Sequence, residues 1–378
     1  MRAPLAGLTV IAVEQAVAAP FCTVRLADAG ATVIKIERPE GDFARLYDQA
    51  TPGGSSYFVW LNRGKQSVVL DLAQPAGRQH LRALIAGADI LVQNLKAGAM
   101  ERMGLGAEVL CAAHARLICC AISGYGETGP FAGRKAYDLL IQAESGLASV
   151  TGGPDEPSRV GISVVDIATG ATAYAAILEA LIARGRSGRG ADLRIAMFDV
   201  IADWLTVPLL NEEAGRPPAR LGLAHPSIAP YGAFASADGR RILISIQSER
   251  EWSVFCRLVL DMPDLPRDPR FADNVSRVAN RAETDRLVAE RFAGMQAERL
   301  LARLAEADIA FASLNDMADL AGHPHLRRIA VETEAGPVAY PAPAVQVAGV
   351  TRQYRPVPAL GADTRSVLSG LQAGTAHE

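Results

Sequence analysis

Residues 8–37 read LTVIAVEQAVAAPFCTVRLADAGATVIKIE. Two β-branched runs, Leu8–Val13 and Thr32–Glu37, flank an Ala- and Leu-rich stretch from Ala19 to Ala29 that has helical spacing. A strand, a short helix and a second strand in so little chain make a crossover between parallel strands, since antiparallel neighbours would need only a turn. The alternation continues outward. Further strands are expected at Ser67–Leu72, Ile90–Asn94 and Leu117–Ser123, with helices at Ala76–Ala86 and Glu108–Ala115. The fold class predicted is α/β, an open doubly wound (Rossmann-like) sheet.

From Asp138 to Arg184 the pattern turns helical, interrupted by TGGPDEPSRVG (151–161), with a second helix beginning near Ile167. Glu212–Pro226, rich in Pro, Gly and Arg, reads as a linker. After it YGAFASADGRRILISI (231–246) alternates around Asp238-Gly239, which predicts a β-hairpin. Helical periodicity then runs through Arg281–Ala307, and strand-like pieces are expected in the tail at PAPAVQVAGV (341–350). A smaller α+β domain is expected from Arg220 to Leu326.

The chain has 378 residues, of which 49% are hydrophobic and 21% charged, enough for one large core or two smaller ones. Its 38 basic and 41 acidic residues leave a net charge of −3, so no global positive field favours nucleic acid or an anionic membrane surface. Any anion must be held locally. The five cysteines are odd in number and contain no C-x-x-C, which fits a reducing, cytoplasmic setting. The N-terminus superficially resembles a signal peptide, but Glu14 and Gln15 interrupt its apolar stretch. No run reaches the ~18 consecutive apolar residues that a spanning helix requires, so no membrane association is expected.

Glu37, about twenty residues beyond the first strand–helix turn, imitates the acid that bonds a ribose hydroxyl in dinucleotide sites. The imitation fails at the turn itself, EQAVAAPF (14–21), which lacks the glycines that let backbone approach a pyrophosphate. G-x-x-x-x-G-K-[ST], G-x-S-x-G and H-E-x-x-H are also missing, which removes the strongest signatures of kinases, serine hydrolases and zincins. Of the six histidines only His323 and His325 stand close together, in a polar loop where surface placement is the ordinary outcome; no metal is expected.

Seven segments, in order along nearly the whole chain, resemble the family III CoA-transferases (CaiB/BaiF), the formyl-CoA and carnitine CoA-transferase type, a family that also includes α-methylacyl-CoA racemases. They are residues 4–42, LNRGKQSVVLDL (61–72), ILVQNLKAGAMERMGLG (90–106), ISGYGETGP (122–130), AYDLLIQAESGLASVTG (136–152), GISVVDIATG (161–170) and LGLAHPSIAPYGAF (221–234). The resemblance implies a large CoA-binding α/β domain built from both chain ends (1–200 and 335–378), a small domain at 220–326, and a homodimer of interlocked subunits. It implies no permanently bound cofactor, with coenzyme A as substrate and product.

By the same resemblance the catalytic nucleophile falls on Asp166. Spacing alone would read Asp166 as a helix N-cap, since Asp ahead of a helix satisfies orphan N–H groups. The chemistry fits the other role. CoA exchange between two carboxylic acids needs neither ATP nor metal if an enzyme carboxylate stores the acyl bond, first as a mixed anhydride and then as an enzyme-bound thioester. The helix after Asp166 is expected to keep that carboxylate charged, and backbone N–H groups to hold developing oxyanions.

The resemblance makes Tyr137, Asp138, Ala16 and Val17 shapers of the active site, and places CoA contacts on Arg38, Asn94, Leu95, Arg102 and Lys135. Lys65 and Lys96 read as solvated charges. In the racemase branch a histidine stands at the position of Tyr137, so this chain is expected to be a transferase. An acyl-CoA racemase or lyase, or a non-catalytic acyl-CoA-binding protein, are the alternatives on the same fold. The formyl-CoA branch has a glycine-rich loop where this chain reads SIQSEREW (245–252), and a glutamine at the position of Val17, which argues against formyl-CoA and oxalate as substrates. The expected donor is a short acyl-CoA such as succinyl-CoA, the acceptor a small carboxylic or dicarboxylic acid, with Arg45 proposed to hold the distal carboxylate.

Overall fold

The computed structural model describes residues 3–374. Alternation along Thr9–Val13 (β1) sorts its side chains onto two faces: Val10 and Ala12 enter one apolar core, Ile11 and Val13 a second. Thr32–Glu37 (β2), Lys65–Val69 (β3), Ile90–Gln93 (β4), Ile118–Ser123 (β5) and Ala191–Ala196 (β6) complete a parallel sheet in the order β3-β2-β1-β4-β5-β6. Both faces are covered. Ala18–Asp28 (α1) packs on one, Pro75–Ala86 (α2) and Ala107–Ala113 (α3) on the other, as a doubly wound sheet requires. Asp138–Glu144 (α4) precedes the 24-residue helix Val164–Ser187 (α5), which lies on the α1 side. By length and composition α5 could cross a membrane. Its Val165, Ala168, Ala173 and Ile177 are buried in the core with α1.

Three expectations about elements change. β6 adds a strand to those expected: in ADLRIA charged Asp192 and Arg194 alternate with Leu193 and Ile195, the pattern of a half-exposed edge strand. β3 starts at Lys65 rather than Ser67, since a buried ion pair makes a lysine acceptable inside the sheet. The strands expected at residues 341–350 are displaced: the antiparallel hairpin is Arg328–Thr333 with Gly336–Pro341, and the prolines that follow cannot donate to a ladder.

The sheet at β1–β3 carries buried charges that the sequence disguised. Glu14 Oε1 accepts from Lys65 Nζ at 2.6 Å and Lys35 Nζ at 3.4 Å, and Oε2 accepts from the Thr23 hydroxyl at 2.6 Å. Lys35 also donates to Asp42 Oδ2 at 2.8 Å. All four charged side chains are fully shielded from solvent. Lys65 is therefore not the solvated charge expected. Burial pushes its ammonium down to about 8, against the pull of Glu14.

Among the described residues, one compact unit takes in 3–148, Arg159–Val207 and 327–374; a second takes in Ser149–Ser158 and Pro208–Leu326. In the second, Tyr231–Ala235, Arg241–Ser245 and Ala310–Ser313 form an antiparallel sheet, with the first hairpin turning at Gly239, whose φ is +78°. Its core gathers Trp252, Phe255 and Phe292. The SIQSEREW segment runs from strand into helix, and Ser248 caps Glu249–Phe255 by accepting from the Glu251 N–H.

Candidate active site

Strand order reverses between β1 and β4, and in sheets of this kind ligands bind outside the carboxyl ends of the strands at that point. There the first unit holds a cavity of about 640 Å³. Its floor is built tightly. Asn94, just past β4, accepts from the Gln15 N–H and donates to the Gln15 carbonyl, both at 2.9 Å. Ala16 then takes a left-handed φ of 63°, and its N–H donates to Asp42 Oδ1 at 3.2 Å. Strain of this kind, about 1–3 kcal/mol, persists only where surroundings enforce it. The twist delivers Val17 and Ala18 to the cavity with N–H groups that find no acceptor among the described residues.

Helix α5 is brought close by Gly170, where a Cβ would stand 2.4 Å from the Ala18 carbonyl oxygen and 2.9 Å from Phe21. One turn earlier lies Asp166, in the first turn of α5 and lining the cavity. Asp166 is not an N-cap: that position belongs to Ser163, and the capping hydrogen bonds come from another element. Asp138, at the start of α4, accepts on Oδ1 from the Val165 N–H at 2.7 Å and the Asp166 N–H at 3.2 Å. The Asp166 carboxylate itself accepts no hydrogen bond from any described residue.

This corrects the expectation that α5 holds Asp166 in its charged form. Burial, and then the neighbouring Asp138 charge, push the Asp166 carboxyl up to about 7. A carboxyl raised in the folded state binds a proton there that the unfolded chain has already released, so stability falls as pH rises from about 4 to about 7. The shift sets a ceiling of about 4 kcal/mol. Partial solvent access reduces this to about 1–2 kcal/mol. Asp166→Asn is accordingly expected to raise Tm by a few degrees at pH 8 and by almost nothing at pH 4, measured by thermal melts.

Of the residues nominated from sequence, Asp166, Tyr137, Asp138, Ala16, Val17, Asn94, Leu95 and Lys135 line this one cavity. Arg38 lines a neighbouring cavity of about 220 Å³ that shares Gln15 and Leu95, and its Nε donates to the Gly41 carbonyl at 2.9 Å. Two nominations do not join either. Arg102 is exposed with its guanidinium against Gly98. Arg45 cannot serve as a free cation for a substrate: it bonds Glu37 through Nε and Nη2 at 2.8 and 2.7 Å and stacks 3.7 Å from the Phe58 ring. Exposed Lys96 lines the cavity, as do Arg134, Arg159, Tyr47 and Tyr57, none of which had been nominated. The Tyr47 hydroxyl is pushed up to about 12 by burial, then Asp42 and Asp166, which places Tyr47 in the field of the Asp166 carboxylate. A single aromatic such as Tyr47, at the end of a one-turn helix, leaves no periodic trace in a sequence.

The family model for CoA-transferase family III matches residues 5–364. The chain belongs to the family III CoA-transferases. This transferase is 34% identical to the succinate–glutarate CoA-transferase of Agrobacterium fabrum, over 98% of its own length and 96% of the relative's. It is 35% identical to the succinyl-CoA:mesaconate CoA-transferase of Haloarcula hispanica, over 85% of this chain and 83% of that one. Among solved structures, a CaiB/BaiF family protein from Brucella suis is 34% identical and superposes with a TM-score of 0.84, covering 98% of the transferase and all of that chain.

Proposed function

We propose that this transferase moves CoA from succinyl-CoA to a dicarboxylic acid, with Asp166 as the covalent carrier. The observation that carries the reading is the state of Asp166: a carboxylate without a hydrogen-bond donor, at the crevice where the sheet order reverses. One Asp166 oxygen attacks the thioester carbonyl, the carbon–sulfur bond breaks, and the CoA thiolate leaves a mixed anhydride. The thiolate then attacks the Asp166 carbonyl carbon and expels succinate, leaving an aspartyl–CoA thioester. The entering carboxylate reverses both steps, and Asp166 is regenerated. Each bond broken is replaced by one of similar energy, so no further reactant is required. The Val17 and Ala18 N–H groups at the start of α1 are placed to receive developing oxyanions. The corresponding groups of α5 are already taken by Asp138.

CoA would contact Asn94, Leu95 and Lys135 in the larger cavity and Arg38 in the smaller one. The dicarboxylate reading rests on what the glutarate and mesaconate relatives act on, together with the cations that line the cavity. We also propose an interlocked homodimer in a reducing cytoplasm. Exposed apolar side chains such as Ile182, Trp204 and Val207 supply surface for the first, and five free cysteines are compatible with the second.

Hydroxylamine added during turnover of succinyl-CoA should trap a hydroxamate on the peptide that contains Asp166, identified by mass spectrometry. CoA exchange without an Asp166 hydroxamate would defeat the carrier assignment. Because the attacking carboxylate must be ionised, kcat/KM is expected to rise with pH about an apparent pKa near 7, in assays from about pH 5 to 9. A flat profile over that range would contradict it.

A further inference from the structure

The hydrogen bonds around the cap of α5 extend one residue beyond it. Asp138 uses Oδ1 for the Val165 and Asp166 N–H groups, and its Oδ2 accepts from Gln142 Nε2 at 2.6 Å. Gln142 is fully buried, one turn along α4, and its Oε1 accepts the Val160 N–H at 2.9 Å. Both ends of the amide are therefore occupied, which fixes its orientation. Asp138, gripped on both oxygens, cannot rotate off the end of α5.

We propose that Gln142 is a positioning residue for the transfer: it holds Asp138 on the N-terminus of α5, so that the helix donors are spent there and the Asp166 carboxylate is left bare. The proposal rests on the reading of Asp166 as nucleophile. Hydrogen bonds to a carboxylate stabilise its charge and would be forfeited on acylation. With those donors engaged by Asp138, Asp166 gives up no hydrogen bond when it becomes a neutral anhydride, and the repulsion between the two carboxylates is relieved in the same step. If Asp138 were released, the Val165 and Asp166 N–H groups would be free to bond the Asp166 side chain instead. The nucleophile would become an ordinary, weakly basic helix-terminal aspartate. Asp138 on α4, the Tyr137 and Tyr47 phenols, and the cations Lys96, Arg134, Lys135 and Arg159 share the cavity with Asp166, and among them Asp138 dominates its charge environment.

Gln142→Met keeps length and burial while removing both hydrogen bonds. Its kcat is expected to fall about 10- to 100-fold, with KM for the CoA ester within about threefold. The rising limb of its pH profile should move about one unit towards acid. Gln142→Glu keeps the acceptor for Val160 but can donate to Asp138 only while the introduced carboxyl is protonated. It should therefore turn the rising profile into a bell, with a new alkaline limb. Unchanged profiles in both variants overturn the proposal, as does a loss of kcat with the pH limbs unmoved, which marks a purely structural role. If Gln142→Met fails to fold, the shape of the Gln142→Glu profile decides. Asp166→Ala assayed in parallel separates the two readings: activity that survives it defeats the nucleophile, whereas wild-type Gln142 profiles beside an inactive Asp166→Ala defeat only the present proposal.

Discussion

Asp166→Ala is expected to lower CoA transfer by at least about 10⁴-fold, because in the proposed mechanism the residue removed is itself the acyl carrier. That loss corresponds to about 5.5 kcal/mol of activation free energy. It should fall on kcat. The Asp166 side chain makes no hydrogen bond that holds the fold or the cavity, so CoA-ester affinity, measured by calorimetry, should change by no more than a few fold. Asp166→Asn must be as inactive as Asp166→Ala, since an amide is too weak a nucleophile to attack a thioester. Asp166→Glu retains the carboxylate but advances it by one methylene from a helix held against Ala18 by Gly170, and should keep a small residual rate, about 10²-fold below wild type. Equal activity of the alanine variant and wild type would remove Asp166 from the mechanism. A loss confined to KM would make it a binding residue instead.

The parts of the architecture that were legible are those set by period. β1, β2, β4 and β5 are runs of β-branched and aliphatic residues, and α1 and α2 lie within one residue of where their spacing puts them. β6 is a six-residue alternation set between two helical stretches, too short to stand out from them although its charged residues face outward at the sheet edge. The site was legible only in part, for a related reason. Asp166, Asp138 and Asn94 stand in segments whose family likeness could be seen, and the fold gathers them at the switch point. Which carboxylate caps α5 and which is bare could not be read, since either Asp suits a helix start. The i,i+4 spacing of Asp138 and Gln142 was a usable sign that the former is held in place. Arg45 failed as a substrate cation because charge alone was visible in the sequence, while its partner Glu37 lies eight residues away on β2.

Glu14 carries the second large expected effect, this time on folding. Its carboxylate stands between two buried ammonium groups, 2.6 Å from Lys65 and 3.4 Å from Lys35, and is the anion that the two share. Glu14→Gln keeps the shape but leaves Lys65 and Lys35 sharing only Asp42 and the fringe of Glu37. Breaking a buried pair by removing one partner costs about 3–5 kcal/mol, because the remaining charge is stranded. Urea unfolding at pH 7 should show a loss of that size. The sign of the pH dependence follows from Lys65, already depressed to about 8 against 10.5 in the unfolded chain. Without Glu14 its folded value drops further, so the variant gains stability relative to wild type as pH rises from about 6 to 8, where its lysine sheds the proton that wild type retains. The gap should therefore narrow towards alkali; a gap that is constant with pH would mean that shape, rather than stranded charge, sets the loss. Activity should suffer too. Asp42, bonded to Lys35, also holds the Ala16 N–H, so loosening the charges loosens the turn that carries the Val17 and Ala18 N–H groups proposed to hold oxyanions.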